Sequence, residues 1–242
     1  MNRVPRQVLI TGGSKGIGAA CVKAFSSMGD VVFFTYRSRD ESVDNLCRTS
    51  QATGIQSDAT DAKAYPGLLN KILSTTESLD VLVNNVGDAI RRSSFLESDD
   101  QLWEDALNIN LLTALRATRS FMPLLQRRHG GVIINISSIA GTTTGAGDSL
   151  HYGVAKAALD TFTKGLAREM DSRVRVCGVA PSAIDTDFQS RLSSPERVEK
   201  IIDQTPLGRI GEAEEVAKTV VFLSSTEASY ISGDTILMSG GR

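Results

Sequence analysis

Short apolar segments alternate with longer amphipathic segments along almost the whole chain. The short segments are bounded by turn residues and have the length of buried strands, whereas the longer ones follow the 3.6-residue period of helices with one apolar face. The predicted strands are residues 7–10, 31–36, 54–57, 81–83, 132–136, 175–179 and 235–238. The predicted helices are residues 16–28, 41–49, 62–76, 99–128, 150–171, 195–204 and 212–224.

The regular alternation of strands and helices is typical of a parallel sheet that helices cover on both faces. We therefore predict an α/β fold of the Rossmann type, with a doubly wound parallel sheet of about seven strands. No linker or repeat interrupts the pattern, so we expect one domain over residues 1–242. Residues 187–211 depart from the alternation, and we expect them to form a short mobile lid over a substrate site.

Composition limits the classes of function. The chain has 242 residues, 41% of them hydrophobic, which is enough for one domain with its own core. A formal net charge of −2 and an aromatic content of 5% argue against a nucleic-acid-binding surface. Cys21, Cys47 and Cys177 form no CxxC pair and have no histidine at metal-ligand spacing, so we expect reduced thiols and no metal site. Residues 1–6 lead directly into a strand and no segment is apolar enough to span a membrane, so we expect a cytoplasmic protein.

A glycine-rich turn connects the first predicted strand to the first predicted helix. Its sequence is Thr11-Gly12-Gly13-Ser14-Lys15-Gly16-Ile17-Gly18. Glycines let the backbone turn tightly and approach a pyrophosphate, which then lies at the positive end of the helix. In this strand–turn–helix context the sequence indicates a dinucleotide site, although its GxxxGxG spacing differs from the GxGxxG of the best-known fingerprint.

Tyr152 and Lys156 are four residues apart in a predicted helix. This spacing places both side chains on one helix face, one turn apart. A phenol titrates near pH ~10, and a neighbouring ammonium is expected to lower its pKa toward the range useful for acid–base catalysis. The pair therefore indicates a candidate proton donor, although the same spacing also occurs on solvated helices.

Together with five further motifs in the same order, these features resemble the short-chain dehydrogenase/reductase family. The resemblance extends from Val4 to the C-terminus, and it implies an enzyme in which a nicotinamide dinucleotide and a carbonyl compound exchange a hydride. The further motifs are Asp58, Asn84-Asn85-Val86-Gly87, Asn110, Ser138, and Pro181 with Thr186.

The resemblance assigns four residues to the chemistry. Ser138 would hydrogen-bond the substrate carbonyl while Tyr152 donates the proton. Lys156 would hold the ribose hydroxyls and lower the pKa of Tyr152, and Asn110 would hold a water that links Lys156 to solvent. Because Asn110 lies within a predicted helix, its side chain could instead bond to its own backbone.

The end of the second predicted strand indicates which dinucleotide binds. In Rossmann folds an acidic residue at this point holds the ribose 2′-hydroxyl of NAD, but this chain has Arg37 there. A guanidinium pairs well with a 2′-phosphate, and Lys15 adds a second cation, so we predict NADP(H). The alternative is that both cations are solvated and that Asp40 or Glu41 selects NAD.

The resemblance also implies individual cofactor contacts. Asp58 would contact the adenine and Thr186 the nicotinamide carboxamide, although Asp58 could also cap the helix predicted from residue 62. The predicted cofactor-binding residues are Gly12, Ser14, Lys15, Gly16, Ile17, Gly18, Arg37, Ser38, Asp58, Asn85, Val86, Gly87, Tyr152, Lys156, Pro181, Ile184 and Thr186.

Within the family, the C-terminal part of the chain is similar to the 3-oxoacyl-[acyl carrier protein] reductases of fatty acid biosynthesis. Those enzymes dock an acidic carrier through basic residues, and the matching positions are Arg128 and Arg173. The resemblance also implies a homotetramer, in which the helices predicted at 99–128 and 150–171 and the last strand form subunit interfaces. The segments that carry this similarity are residues 206–217, 222–225, 228–233 and 240–241.

Two other functions stay open. One is a reductase or dehydrogenase of a free ketone or alcohol, such as a secondary metabolite or a sugar; the more remote one is a non-catalytic regulator that senses the dinucleotide. The chain departs from the family pattern at three positions: Ser182 stands where glycine often follows proline, Cys177 stands where asparagine is common, and Asp88 follows Gly87 at the mouth of the site. These departures concern the identity of the substrate and leave the class of reaction unchanged.

Overall fold

The computed structural model describes residues 4–127, 130–144 and 147–242. Arg128, one of the two predicted carrier-docking residues, lies outside the described residues. The strands are β1 (Gln7–Ile10), β2 (Val31–Tyr36), β3 (Thr53–Gln56), β4 (Val81–Asn84), β5 (Gly131–Ile136), β6 (Val174–Pro181), β7 (Ile184–Asp185), β8 (Gly211–Glu212) and β9 (Thr235–Met238). The helices are α1 (Gly16–Ser27), α2 (Glu41–Ser50), α3 (Ala64–Leu73), α4 (Asp100–Leu107), α5 (Thr113–Leu125), α6 (Ala140–Thr143), α7 (Leu150–Glu169), α8 (Asp187–Leu192), α9 (Pro195–Asp203) and α10 (Ala213–Leu223).

Within the described ranges, seven parallel strands form one sheet in the order β3-β2-β1-β4-β5-β6-β9. The chain builds outward from β1 to β3, returns to β4 on the other side of β1, and then builds outward again. This reversal leaves a crevice at the carboxyl ends of β1 and β4, which is the usual ligand position in such sheets. The predicted Rossmann-type fold is confirmed.

Alternating side chains of the central strands supply two cores, one on each face of the sheet. In β1, Val8 and Ile10 belong to the core beneath α1 and α10, whereas Leu9 belongs to the core beneath α3 and α5. All three side chains have no exposed surface. The near-continuous apolar sequences of the strands therefore arise because both faces of the sheet are covered.

The helix predicted over residues 99–128 is helical from Asp100 to Leu125, but it contains a π-helical turn that the sequence did not indicate. It divides into α4 and α5 around a π-helical turn, Asn108–Leu112. Within this turn the Nδ2 of Asn110 donates to the carbonyl of Ala106 at 3.0 Å and to the carbonyl of Asp88, outside the helix, at 2.6 Å. Such side-chain bonds compete with the regular backbone ladder and favour a local change in helical geometry.

The predicted lid region contains regular structure. Helices α8 and α9 occupy most of it, and β8 closes it by pairing with β7. The bounds of the other predicted helices and strands agree with the structure within one helical turn. In the described part of the chain, no helix combines the length and apolar character needed to cross a bilayer.

Candidate active site

A cavity of about 610 Å³ lies along the carboxyl ends of the central strands, as the topology requires. The glycine turn and the end of β2 form one end of its wall, and α7, α8 and α9 form the other. The volume is in the range of small-molecule and cofactor sites. All predicted cofactor-binding residues line the cavity except Gly18 and Ser38.

The glycine turn is held against the neighbouring strands by side chains. The amide of Gly12 donates to the Oγ1 of Thr35 at 2.9 Å, and the Nδ2 of Asn85 donates to the carbonyl of Gly12 at 2.9 Å. Gly12 has a φ of +63°, in the left-handed region that favours glycine. Gly18 lies behind the turn instead of on the cavity wall, and a Cβ there would be 2.4 Å from the carbonyl oxygen of Gly12. Gly18 therefore permits close packing of α1 against the turn, and its contact with a cofactor stays a prediction.

The N-terminus of α1 fits the phosphate groups of a dinucleotide. No side chain caps this end of the helix among the described residues, and its first turn contains no acidic residue. Its amide groups and the positive end of its dipole therefore point toward the cavity without an internal anion. This geometry supports the predicted dinucleotide site.

At the end of β2, Arg37 lines the cavity, as predicted, whereas Ser38 is exposed and beyond the wall. Lys15 lines the cavity too, but its Nζ pairs with the Oδ2 of Asp40 at 2.8 Å. The hydrogen bond from Lys15 lowers the pKa of Asp40, which also accepts a hydrogen bond from the amide of Val43 as the N-cap of α2. Asp40 is thus engaged by Lys15 and by the start of α2, and the selection of the dinucleotide by Arg37 stays a prediction.

Asp58 lines the same end of the cavity and shapes a turn after β3. Its Oδ1 accepts hydrogen bonds from the amide and the hydroxyl of Thr60 at 2.9 and 2.7 Å, and these bonds contribute to a lowered pKa. The helix α3 begins later, at Ala64, so the capping alternative for Asp58 is wrong. Its carboxylate is therefore available at the wall near Arg37.

Ser138, Tyr152 and Lys156 come together at the middle of the cavity. The hydroxyl of Ser138 is close enough to the phenol of Tyr152 to favour the ionised form of the phenol. The Nζ of Lys156 lies 5.6 Å from the centre of the Tyr152 ring and donates to the carbonyl of Ile136 at 2.8 Å. Because Ser138 follows β5 and the other two lie on α7, the pairing of β5 with its neighbours brings this cluster together.

The electrostatics of the cluster differ from the sequence-based expectation. Burial raises the pKa of Tyr152 to about 12, although the hydrogen bond from Ser138 opposes the rise. Burial also lowers the pKa of Lys156 to about 8. The predicted lowering of the Tyr152 pKa by Lys156 is thus not seen in this structure, because Lys156 loses its proton at a lower pH than the phenol does. The Lys156 ammonium therefore titrates close to neutral pH.

Asn110 is buried next to this cluster and holds the loop that follows β4. Its Oδ1 accepts from the amide of Asp88 at 3.0 Å, and its Nδ2 donates to the carbonyl of the same residue. A Cβ on Gly87 would lie 2.8 Å from both this Oδ1 and the Nζ of Lys156. The alternative for Asn110, a bond to its own helix, is present through Ala106, while the bonds to Asp88 reach beyond the helix. The role of Asn110 as a water ligand stays a prediction.

The other end of the cavity is formed by apolar residues of the lid and by two arginines. Phe188, Leu192 and Ile201 from the lid line it together with Arg92 and Arg197. The ring of Phe188 lies 6.1 Å from the ring of Tyr152, so the lid reaches the catalytic cluster. The sequence signals for this end were the departure of residues 187–211 from the strand–helix alternation and the positive charge of Arg91-Arg92 beyond Gly87.

Two of the departures from the family pattern lie on the cavity wall. The carboxylate of Asp88 accepts from the amide of Ile90 at 2.6 Å and from the Nη2 of Arg191 in α8 at 2.6 Å, so it joins its loop to the lid. The Oγ of Ser182 is buried without a hydrogen-bond partner among the described residues. Cys177 lies in the core of β6, where burial raises its pKa. None of these residues displaces a member of the catalytic cluster.

Arg173 lies far from the cavity. It precedes β6 at the amino edge of the sheet, and its Nε donates to the Oδ2 of Asp171 at 2.8 Å. Strand β6 (Val174–Pro181) ends at the cavity and is about 23 Å long. A carrier bound at Arg173 would therefore be at the opposite edge of the sheet from the catalytic cluster of the same chain.

Comparisons with known proteins agree with this geometry. A family model described as enoyl-(acyl carrier protein) reductase matches residues 12–242. The 3-oxoacyl-[acyl-carrier-protein] reductase FabG of Escherichia coli is 36% identical over 244 residues, which is 100% of this chain and 98% of that protein. Among solved structures, a short-chain dehydrogenase/reductase (glucose/ribitol dehydrogenase) from Brucella melitensis has a TM-score of 0.91 at 30% identity, covering 98% of this chain and 96% of that one. The Pseudomonas aeruginosa RhlG/NADP active-site complex has a TM-score of 0.90 at 26% identity, covering 98% and 95%.

Proposed function

Because the chain belongs to the short-chain dehydrogenase/reductase family of oxidoreductases, we propose that it is an NADPH-dependent carbonyl reductase. The more specific proposal is that it reduces a 3-oxoacyl group carried by acyl carrier protein, as its FabG relatives are named for doing. The observation that carries the proposal is the position of Ser138, Tyr152 and Lys156 in a cavity that also contains the uncapped end of α1 and Arg37.

The residues of the cluster have complementary tasks in carbonyl reduction. When bound, the reduced nicotinamide supplies the hydride that the carbonyl carbon accepts. The hydroxyls of Ser138 and Tyr152 bind the carbonyl oxygen, and the phenol donates its proton as negative charge develops there. A phenol with a pKa near 12 stays protonated at neutral pH and is therefore ready to donate. Lys156 then restores the proton to the phenolate, because an ammonium with a pKa near 8 is a stronger acid than a phenol with a pKa near 12.

The preference for NADP(H) rests on Arg37 and on the state of Asp40. A guanidinium binds a 2′-phosphate and cannot accept a hydrogen bond from a 2′-hydroxyl. Asp40, one of the two residues that could select NAD, is paired with Lys15 and caps α2, and the other, Glu41, is the first residue of α2 and is not on the cavity wall. We therefore assign selection of the 2′-phosphate to Arg37 and give Lys15 an indirect role, in which it holds Asp40.

One observation argues against a carrier that docks at Arg173 and delivers its substrate to the cavity of the same chain. Arg173 is at the opposite edge of the sheet from the cavity of its own chain, so docking there would have to deliver the substrate to another subunit. The alternative function, reduction of a free small-molecule ketone, needs no such arrangement. The four-residue catalytic set is complete in either case, which argues against the non-catalytic regulator.

Assembly and location follow from the family and remain proposals. We propose a cytoplasmic homotetramer with one domain per chain and a mobile lid over residues 187–211. Strand β9 is an edge strand whose Leu237 is 57% exposed, and Val154 on α7 is 42% exposed. Exposed apolar side chains on an edge strand and a helix support burial against other copies of the chain.

A substrate panel tests the proposed function. Oxidation of NADPH would be followed with acetoacetyl thioesters of acyl carrier protein and of N-acetylcysteamine, and with free ketones and quinones. A kcat/KM for the carrier thioester at least ~10-fold above that of the free ketones supports the specific proposal. Turnover of free ketones alone favours the alternative, and absence of turnover with every carbonyl compound contradicts the enzyme proposal.

A further inference from the structure

Two arginines at the lid end of the cavity share one carboxylate. The Nη1 of Arg92 donates to the Oδ1 of Asp148 at 2.8 Å, and the Nη1 of Arg197 donates to its Oδ2 at 2.8 Å. Arg92 also donates to the carbonyl of Leu192 and, at 3.1 Å, to the hydroxyl of Ser193. We call Arg92, Asp148 and Arg197 the arginine clamp.

The clamp directs positive charge toward the cavity. Both arginines line the wall, whereas Asp148 lies behind them and is not part of it. Burial opposes ionisation of Asp148, but the hydrogen bonds from Arg197 and Arg92 outweigh it and lower its pKa, so the carboxylate stays charged. Two guanidinium groups against one carboxylate give the clamp a formal charge of +1. Two carboxylates also line this part of the cavity: Asp88 is paired with Arg191, and Asp187 is close enough to Lys15 to raise the pKa of that lysine.

The guanidinium groups retain donors for a ligand. Each has five N–H groups, and the hydrogen bonds to the described residues use three of those of Arg92 and two of those of Arg197. The side chains are 30% and 28% exposed, at the cavity wall. Asp148 holds both planar guanidinium groups in position, so their remaining N–H groups are well placed to bind a carboxylate or a phosphate of a ligand.

A purely structural role as a latch for the lid explains less. Such a latch would consist of two partly exposed ion pairs to Asp148 and the hydrogen bonds from Arg92 to the lid, and exposed pairs of this kind contribute little stability. A latch needs only one arginine for the one carboxylate. The second arginine adds a positive charge that no carboxylate of the clamp neutralises, and both arginines lie on the cavity wall. Apolar Leu192 and Ile201 next to the clamp provide space for an aliphatic segment between an anionic group and the catalytic cluster.

We propose that the substrate carries an anionic oxygen group, a carboxylate or a phosphate, which the arginine clamp binds. The proposal rests on the function proposed above, because it assumes that a carbonyl compound occupies this cavity. The anion has two possible sources: a carboxylate or phosphate of the ketone itself, or the phosphate of a carrier's pantetheine arm. Either source uses the same guanidinium chemistry.

Matched substrate pairs separate charge from shape. The first pairs are 4-oxopentanoate, 5-oxohexanoate and 6-oxoheptanoate, each compared with its methyl ester. The other pair is acetoacetyl-4′-phosphopantetheine and acetoacetylpantetheine. For each compound, NADPH oxidation gives KM and kcat, and the rise in melting temperature of the protein gives binding without turnover.

The native protein should prefer the anionic member of at least one pair by about 10-fold or more in KM. Arg197→Gln should raise the KM of that anion by about 10- to 100-fold and leave the neutral partner unchanged, because it loses only charge-assisted hydrogen bonds. Arg209→Gln is the matched control, since it removes an exposed arginine that pairs with Glu215 at 2.7 Å outside this cavity. If Arg197→Gln does not fold, Arg92→Gln serves the same comparison.

Preference for an oxo acid supports a charged ketone, and preference for the phosphopantetheine compound supports the carrier arm. Equal KM and equal binding within every pair would overturn the clamp proposal and leave carbonyl reduction intact. Equal losses on both members of a pair in Arg197→Gln would overturn it as well, because the clamp would then act only on the lid. Binding that selects anions without turnover of any ketone would instead reject the proposed function and keep the anion site.

Discussion

Replacing Gly18 with alanine should destabilise the protein and weaken dinucleotide binding, even though alanine is the better helix former. Gly18 lies in α1, so alanine gains about 1 kcal/mol of helix propensity. Its Cβ would lie 2.4 Å from the carbonyl oxygen of Gly12 and 2.9 Å from the Cα of Gly13. Overpacking costs about 1–3 kcal/mol and occasionally more, and here the contacts are backbone atoms that cannot rotate away. Because two of the three close contacts are to rigid backbone atoms, we take the upper part of this range, about 2–3 kcal/mol, and expect a net loss of about 1–2 kcal/mol in the free energy of unfolding.

This loss corresponds to a fall of about 2–8 °C in melting temperature for a chain of this size. If the glycine turn moves to relieve the contact, the Kd for NADPH should rise by about 10-fold, which corresponds to ~1.4 kcal/mol. Circular dichroism during heating and fluorescence titration with NADPH measure the two quantities. Gly67→Ala is the matched control, because Gly67 is also in a helix, α3, and no described atom lies within 4 Å of its Cβ position. That variant should be more stable by about 0.5–1 kcal/mol and bind NADPH normally. A Gly18→Ala protein that melts at the native temperature with native affinity would refute the reasoning.

Four other outcomes follow from the site and the proposed function. Arg37→Asp should reduce or reverse the preference for NADPH, and equal kcat/KM values for both cofactors in the native protein would refute the role of Arg37. Tyr152→Phe should keep the fold and NADPH binding but lose about 10²–10⁴-fold in kcat, so near-native turnover would exclude Tyr152 as the proton donor. Arg173→Glu should weaken turnover of the carrier thioester but not of its small mimic, with a smaller effect as salt rises past ~0.1 M; equal losses on both would point to folding or assembly. Light scattering at micromolar concentration should give a tetramer, and a monomer would count against the proposed assembly.

The sequence predicted those parts of the site that single segments specify. The glycine turn and the Tyr152–Lys156 pair each lie within one strand–helix unit, where local spacing determines geometry. The division of the predicted 99–128 helix depends on the bond from Asn110 to Asp88, a residue on another segment, and apolar periodicity carries no information about it. The pKa of Tyr152 likewise depends on burial among several segments, so the i, i+4 spacing alone gave the wrong direction.

The arginine clamp, too, could not be predicted from local sequence, because its residues come from three separate segments. Arg92, Asp148 and Arg197 come from the loop after β4, the loop before α7 and the lid, and no short motif joins them. Each is an ordinary surface residue when considered separately. Only the tertiary structure brings their charges together at one wall.

The pairing of β7 with β8 brings the two ends of the lid segment next to each other. Ile184 pairs with Gly211 and Asp185 with Glu212, so the chain leaves and returns at adjacent positions of one short ladder. Neighbouring strands are about 4.8 Å apart, and a segment whose ends are so close can be exchanged with little change in the backbone on either side. Residues 187–210 can therefore be exchanged as one segment, and grafting the corresponding segment of a relative should transfer substrate preference. The glycine turn and the catalytic residues Ser138, Tyr152 and Lys156 lie outside this segment. The grafted protein should therefore bind the dinucleotide and donate the proton as this chain does.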